Sequence, residues 1–274
     1  DLVRSRGLGD VYKRQGIATV TELMNQRPTG AQCAKPCGAV TFEVQHRCKD
    51  GRLMWAEVFS KPEHDEHGTI VGYHGVSRET TERKQMQDQV RQLAFFDPLT
   101  NLPNRRLLLD RLAQAMTASK RSACHGALMI LDLDNFKQLN DTHGHLMGDL
   151  LLIEAARRLT RCVRAQDTVA RFGGDEFVVV LSNLNKDSIA TAAQAGIVAE
   201  KIRTSLTEPF LLAAKHAEQA DSHVEHRCSA SIGVVIFIDN ENPQDDLLKW
   251  ADAAMYQAKA AGRNQVQFYR ETNA

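Results

Sequence analysis

No stretch of this chain approaches the roughly 20 consecutive apolar residues that carry a helix across a bilayer. The longest apolar runs are ALMIL at 127–131 and GVVIFI at 233–238. No membrane span is therefore expected within it, although an anchor could precede it. Net charge is also lacking: 34 Lys and Arg balance 34 Asp and Glu. That argues against a polyelectrolyte face for nucleic acid, so no nucleic-acid partner is expected and any phosphate binding should be local. Zinc-finger spacing is absent as well. The six cysteines, at 33, 37, 48, 124, 162 and 228, are scattered. Cys33 and Cys37, with His46 and Cys48 nearby, make a poor match to the common zinc signatures. Several of the others sit in apolar patterns where a reduced thiol acts as a small hydrophobe, so a reducing, cytoplasmic location is expected.

The 274 residues suffice for two modest domains. Residues 1–15 are set aside as a leader without a structural role. The chain begins with Asp, and SRGLGDVYKRQ at 5–15 resembles the in-frame translation of a transposon sequencing adapter. The genuine protein is expected to start near Gly16, short of its upstream part.

Residues 16–80 form the first expected domain. VTFEVQHR, LMWAEVFSKP and TIVGYHGVS are β-type runs, and Asp50-Gly51 between the first two is a hairpin signal because both turn residues tolerate positive φ. A three-stranded antiparallel sheet follows. The segment order, Trp55, and the exit at 77–84, SRETTERK, resemble the carboxy-terminal half of a PAS sensor domain; an unrelated meander is the alternative. Residues 81–96 read as a helical linker with Met86, Val90 and Leu93 at four-then-three spacing. That is the seam of a short parallel coiled coil, implying a homodimer, and it equally suits a one-sided helix packed on its own domain.

Residues 97–274 form the second domain. Pro103 is expected to open a helix over NRRLLLDRLAQAMTASK, followed by the strand ALMILDLD. Further helices are expected at about 147–162, 188–206 and 243–261, with strands at 229–238 and 265–269 and a hairpin centred on Gly173-Gly174. The polar stretch 212–227 reads as an extended loop. Strands mixed with helices around one hairpin give an α+β fold, a central and mostly antiparallel sheet covered by helices.

The chemistry gathers at RFGGDEF, 171–177. Gly173 and Gly174 permit positive φ and let backbone N–H groups approach an anion, while Asp175 and Glu176 project just beyond. A buried strand delivers Asp132 to its end; Asp134 is expected on the opposite face. Carboxylates converging beside exposed amides need a hard cation, and Mg²⁺ with phosphate oxygens is the natural choice. A nucleoside triphosphate site is the expected result. Alone, Gly-Gly-Asp is just a turn. Its company is FDPLTNLPNR at 96–105, LDLDNFKQLNDTHGHLMGD at 131–149, SIGV at 231–234 and ADAAMYQAKAAGRNQV at 251–266. Together these resemble the GGDEF family of diguanylate cyclases over about residues 94–269, with a palm-like nucleotidyl cyclase fold.

That resemblance implies site residues. Asp132, the Leu133 carbonyl and Asp175 match ligands of Mg²⁺ (or Mn²⁺), with Glu176 the neighbouring acid and Asp175 also the candidate proton acceptor. Asn140 and Asp149 match guanine readers, with His145 beside them. Lys259 and Arg263, expected one turn apart on one helix face, match a clamp on the terminal phosphates, with Lys137 and the backbone near Asn135 and Phe136 in the same cradle. Arg164 and Asp167, with Arg203 as a further contact, match an inhibitory site for the product. Taken singly, each has a plainer reading: Asn140 as a helix cap, Asp149 as a first-turn acid, Lys259 and Arg263 as a solvated face. The implied reaction joins two GTP into cyclic di-3′,5′-GMP and releases two pyrophosphates. The alternatives are a mixed adenine–guanine cyclase, an inactive domain that senses nucleotides, or an interaction module.

Overall fold

The computed structural model describes residues 39–48, 50–68, 70–214, 222–238 and 242–270. The expected leader, and Cys33 and Cys37 of the weak metal candidate, lie outside them. The chain divides into two compact units, 1–90 and 91–274.

In the first unit, β1 (Val40–Arg47), β2 (Leu53–His64) and β3 (Ile70–Glu79) form an antiparallel sheet in that order. Gly51 takes φ 85° in the β1–β2 turn, as the Asp-Gly pair predicts. Helix α1 (Thr81–Phe95) starts against this sheet. The Trp55 amide donates to Thr81 Oγ1 at 3.0 Å, and Lys84 pairs with Glu43 at 2.6 Å. Met86, Val90 and Leu93 are all exposed on α1.

The second unit is built on a five-stranded sheet ordered β10-β9-β4-β6-β5. Its strands are β4 (Gly126–Asp134), β5 (Thr168–Gly173), β6 (Glu176–Leu181), β9 (Ser229–Phe237) and β10 (Val266–Phe268). Only the β9–β10 pairing is parallel. The helices are α2 (Arg105–Ser122), α3 (Phe136–His143), α4 (His145–Cys162), α5 (Ser188–Thr207) and α6 (Gln244–Ala260). Strand β4 lies in the middle and is buried throughout, which is why its sequence is apolar on both faces. Met129, Leu131 and Leu133 pack towards Leu151, Ala155 and Ile202 of α4 and α5. Leu128 and Ile130 pack on the other side with Leu108 and Leu112 of α2 and Leu247 and Met255 of α6. This is the expected α+β architecture.

Gly233 of β9 sits against α6 so closely that a Cβ there would lie 2.0 Å from the Ala251 carbonyl oxygen and 2.2 Å from the Met255 nitrogen. Helix α6 thus rests on bare backbone. Its far end brings Lys259 to the end of β4.

Four expectations need correction. Pro103 does not open α2: Asn104 caps it, its Oδ1 accepting the Leu107 amide at 3.1 Å. A short helix, α3, occupies 136–143, where none was expected, after Asn135 turns the chain at φ 61°. The stretch 212–227 is not all loop, because β7 (Phe210–Ala214) and β8 (Ser222–His226) pair as an antiparallel ribbon. Phe210 and Leu212 of β7 are buried while Leu211 is exposed, the alternation of a strand laid against the core. Finally, Asp134 shares a face with Asp132, since residues two apart on a strand project the same way.

Candidate active site

The strand end and the hairpin meet as neighbours. Asp132 stands opposite Glu176 in the β4–β6 register, and the Leu133 amide donates to the Asp175 carbonyl at 3.3 Å. In the turn, Gly174 takes φ 50°, and none of the described residues lies within 4 Å of where a Cβ would stand on Gly173 or Gly174. The backbone there is open to a ligand. Arg171 fixes the turn from behind: Nη2 and Nε donate to the Gly174 carbonyl at 2.8 and 3.0 Å, and Nη1 pairs with Asp97 at 3.1 Å.

Electrostatics mark Asp132 and Glu176. Burial raises the Asp132 carboxyl above the usual carboxylate range, aided by Asp175 and Asp134, although Lys259 Nζ sits 2.7 Å from its Oδ2 and opposes the shift. Burial also raises Glu176, with repulsion from Asp132, Asp252 and Asp175. Among the described residues no three His, Cys, Asp or Glu side chains are grouped tightly enough to hold a metal ion as they stand. The donor set nevertheless suits a hard divalent cation: these are oxygen ligands that repel one another, and among the described residues the cation paired with Asp132 is the partly exposed ammonium of Lys259.

Asp97 behaves oppositely. Burial raises its carboxyl, but hydrogen bonds from Thr100 and the Arg171 guanidinium outweigh that and hold it below the usual range. A folded-state pKa below the unfolded one stabilises at neutral pH, and this contribution is lost as pH falls through the folded value. Asp97→Asn is thus expected to cost roughly 2 kcal/mol at pH 7. The deficit should shrink towards zero in acid, as read by urea denaturation at the two pH values; an equal deficit at both would contradict it.

The guanine-reader candidates lie across α3 and α4. Asn140 is half-buried on α3, its Oδ1 buried without a hydrogen-bond partner among the described residues, and Asp149 and His145 are exposed on the first turns of α4. Gly148 makes this packing possible, since a Cβ there would fall 2.0 Å from Asn140 Oδ1 and 3.2 Å from the Phe136 ring. Lys137 is exposed on α3. Arg263 departs from expectation, because α6 ends at Ala260 and Gly262 at φ 116° turns the chain away. Arg263 therefore sits in a loop, not on the helix face of Lys259.

Arg164 and Asp167 lie in the turn after α4. The Asp167 carboxylate accepts the Arg164 amide at 3.0 Å and the Ser182 amide at 3.3 Å, which leaves the Arg164 side chain exposed. Arg203, on α5, is engaged with Glu200 at 2.8 Å and Asn264 at 2.9 Å.

Two features escaped the sequence reading. A cleft of about 440 Å³ beside the Gly-Gly turn is bordered by Arg105, Arg106 and Arg171; the doubled arginine after Asn104 was its signal. The buried carboxylate of Asp134 accepts hydroxyls from Ser229 at 2.6 Å and Ser231 at 2.7 Å, and the Asn264 amide at 3.1 Å. Nearby, burial and the acids Asp134, Asp132 and Asp175 push the Cys228 thiol up to about 12, so it is a packing group rather than a nucleophile.

The antiparallel sheet, its helices and the acid-bearing double-glycine hairpin define a GGDEF domain. The family model described as diguanylate cyclase, GGDEF domain, matches residues 94–265, and the chain belongs to that family. It is 43% identical over 181 residues to the bifunctional diguanylate cyclase/cyclic di-GMP phosphodiesterase MucR of Pseudomonas aeruginosa, covering 66% of this chain and 24% of that protein. The chain thus spans about a quarter of that relative's length. The GGDEF domain of TpbB (YfiN) from P. aeruginosa is similar at 33% identity with a TM-score of 0.56, covering 64% of this chain and 94% of the other. The coiled coil and GGDEF domain of DgcB from Caulobacter crescentus, solved in complex with c-di-GMP, is similar at 28% identity and a TM-score of 0.58, covering 68% and 92%. Among the described residues no helix is long and apolar enough to cross a membrane.

Proposed function

We propose that the domain over 97–274 is a diguanylate cyclase, condensing two GTP into cyclic di-3′,5′-GMP with release of two pyrophosphates. The observation that carries this reading is Asp132 set in register with Glu176 beside an open two-glycine turn. In each step the 3′-hydroxyl of one GTP attacks the α-phosphorus of the other in line, and the pyrophosphate leaves. The open amides at Gly173 and Gly174 receive phosphate oxygens, and Asp175 takes the hydroxyl proton. Asp132, the Leu133 carbonyl, Asp175 and Glu176 would hold a divalent cation, Mg²⁺ or Mn²⁺, which would supply neutralisation of charge at the phosphate. Lys259 and Arg263 hold the terminal phosphates, with Lys137 and the backbone at Phe136 completing the cradle. The Lys259 ammonium, 2.7 Å from Asp132, is the group that turns to a triphosphate when one enters.

Asn140 and Asp149 read guanine, Asp149 by accepting from N1–H and the exocyclic amine, with His145 alongside. Gly148→Ala is expected to weaken GTP binding about 10-fold, roughly 1.4 kcal/mol, because the added methyl displaces Asn140. Titration with a non-hydrolysable GTP analogue measures this, and unchanged affinity would remove Asn140 from the reading.

Because the attacking hydroxyl belongs to the second GTP, two domains must meet. The exposed Met86, Val90 and Leu93 supply a helical seam for such a homodimer. Residues 16–80, as a partial PAS sensor, and the helix over 81–96 are the input to it, and Arg164, Asp167 and Arg203 are the contacts through which product inhibits. Incubation of the purified chain with GTP and Mg²⁺, followed by mass spectrometry of the products, tests the function. A cyclic two-guanine product is expected. Binding of GTP without turnover, in a dimeric preparation, would favour an inactive nucleotide-sensing module instead.

A further inference from the structure

The loop after α6 holds three consecutive residues at positive φ, Gly262 at 116°, Arg263 at 63° and Asn264 at 47°. Glycine adopts this region freely, asparagine tolerates it, and arginine does so only when its surroundings over-determine the backbone. Those surroundings are specific. The Arg263 amide donates to the Ala258 carbonyl at 3.0 Å, closing the helix end. The next amide, of Asn264, donates to Asp134 Oδ2 at 3.1 Å. Asp134 is only 3% exposed and is itself held by Ser229 and Ser231. On the outer side, Asn264 Oδ1 accepts from Arg203 Nη1 at 2.9 Å and lies 3.4 Å from Thr207 Oγ1. One asparagine, immediately after Arg263, is therefore gripped from the sheet and from α5.

We infer that Asn264 is a positioning residue for Arg263, held inside by Asp134 and outside by Arg203, and that this brace aims the guanidinium at the terminal phosphate of the bound nucleotide. The inference rests on the cyclase reading, in which Arg263 meets that phosphate. A buried carboxylate two residues from Asp132 then has a reason to be there. It fixes the loop that carries Arg263, while Asp132 on the same strand belongs to the proposed cation site. The brace also links Arg203, a candidate product contact, to the phosphate clamp by one side chain.

The test is discrimination between GTP and GDP, which differ by the phosphate that Arg263 addresses. Binding of a non-hydrolysable GTP analogue and of GDP is titrated for the intact chain and for three variants. Asn264→Ala removes the acceptor for Arg203 and disfavours the left-handed backbone. It is expected to lower the ratio of the two affinities about 10-fold, equivalent to about 1.4 kcal/mol. Asn264→Asp keeps an oxygen for Arg203 and tolerates the same φ, and should stay within about 2-fold of the parent. Arg203→Ala leaves the loop residues untouched and keeps the test open if Asn264→Ala does not fold; a loss of about 3-fold is expected, or roughly 0.7 kcal/mol. Loss of affinity for both nucleotides equally, or an unchanged ratio in Arg203→Ala and Asn264→Ala, overturns the brace. Failure of the parent chain to bind either nucleotide strikes the cyclase reading instead, so the two failures are distinguishable.

Discussion

Asp132→Asn is expected to abolish dinucleotide synthesis, lowering the initial rate by at least about 10³-fold, while the protein stays folded. The substitution keeps the shape of a side chain that is 12% exposed and removes only its charge. Two consequences oppose each other in stability. Lys259 loses its charged partner, but at 30% side-chain exposure it can turn to water. Glu176 is relieved of the charge that, after burial, does most to raise its carboxyl. The thermal midpoint without added metal should accordingly stay within a few degrees of the parent or rise, the pattern of a site that gives up stability for function. Product formation within about 3-fold of the parent would remove Asp132 from the chemistry and with it the proposed reaction.

Gly233→Ala is expected to have the largest effect on the fold. The added methyl would stand 2.0 and 2.2 Å from two backbone atoms of α6, and a helix backbone cannot swing aside as a flexible side chain can. The helix must lift from β9, at a cost of about 3 kcal/mol or more. For a domain of this size that lowers the thermal midpoint by about 10 °C. Lys259 rides on the same helix, so residual activity should show weakened GTP binding even where the protein remains folded. An alanine variant with the parent's melting temperature would mean that α6 and β9 do not meet as described.

Much of this was written locally in the sequence. The run ALMIL announces a buried strand, because a strand covered on both faces is apolar on both. The paired glycines at 173–174 announce the turn, since bare backbone has few other uses between two strands. What stayed hidden depends on tertiary partners. Arg263 follows Lys259 at helical spacing, and only the φ of Gly262 shows that the helix has already ended. Asp134 reads as an acid near a site, whereas its three donors come from Ser229, Ser231 and Asn264, some hundred residues away along the chain. The β7–β8 ribbon joins an apolar strand, FLLAA, to a mostly polar one, SHVEH, and Phe210 and Leu212 are buried, so its pairing is set by the core beneath it.

Asn104 has a practical implication for building hybrid signalling proteins. Its amide reaches back to the Phe95 carbonyl at 2.9 Å and its side-chain nitrogen to the Ala94 carbonyl at 3.0 Å, while its oxygen starts the next helix. One residue thus finishes one helix and begins another. A foreign input module grafted onto this domain should be spliced upstream of Ala94, in register with the existing helix, so that the joint itself is inherited whole.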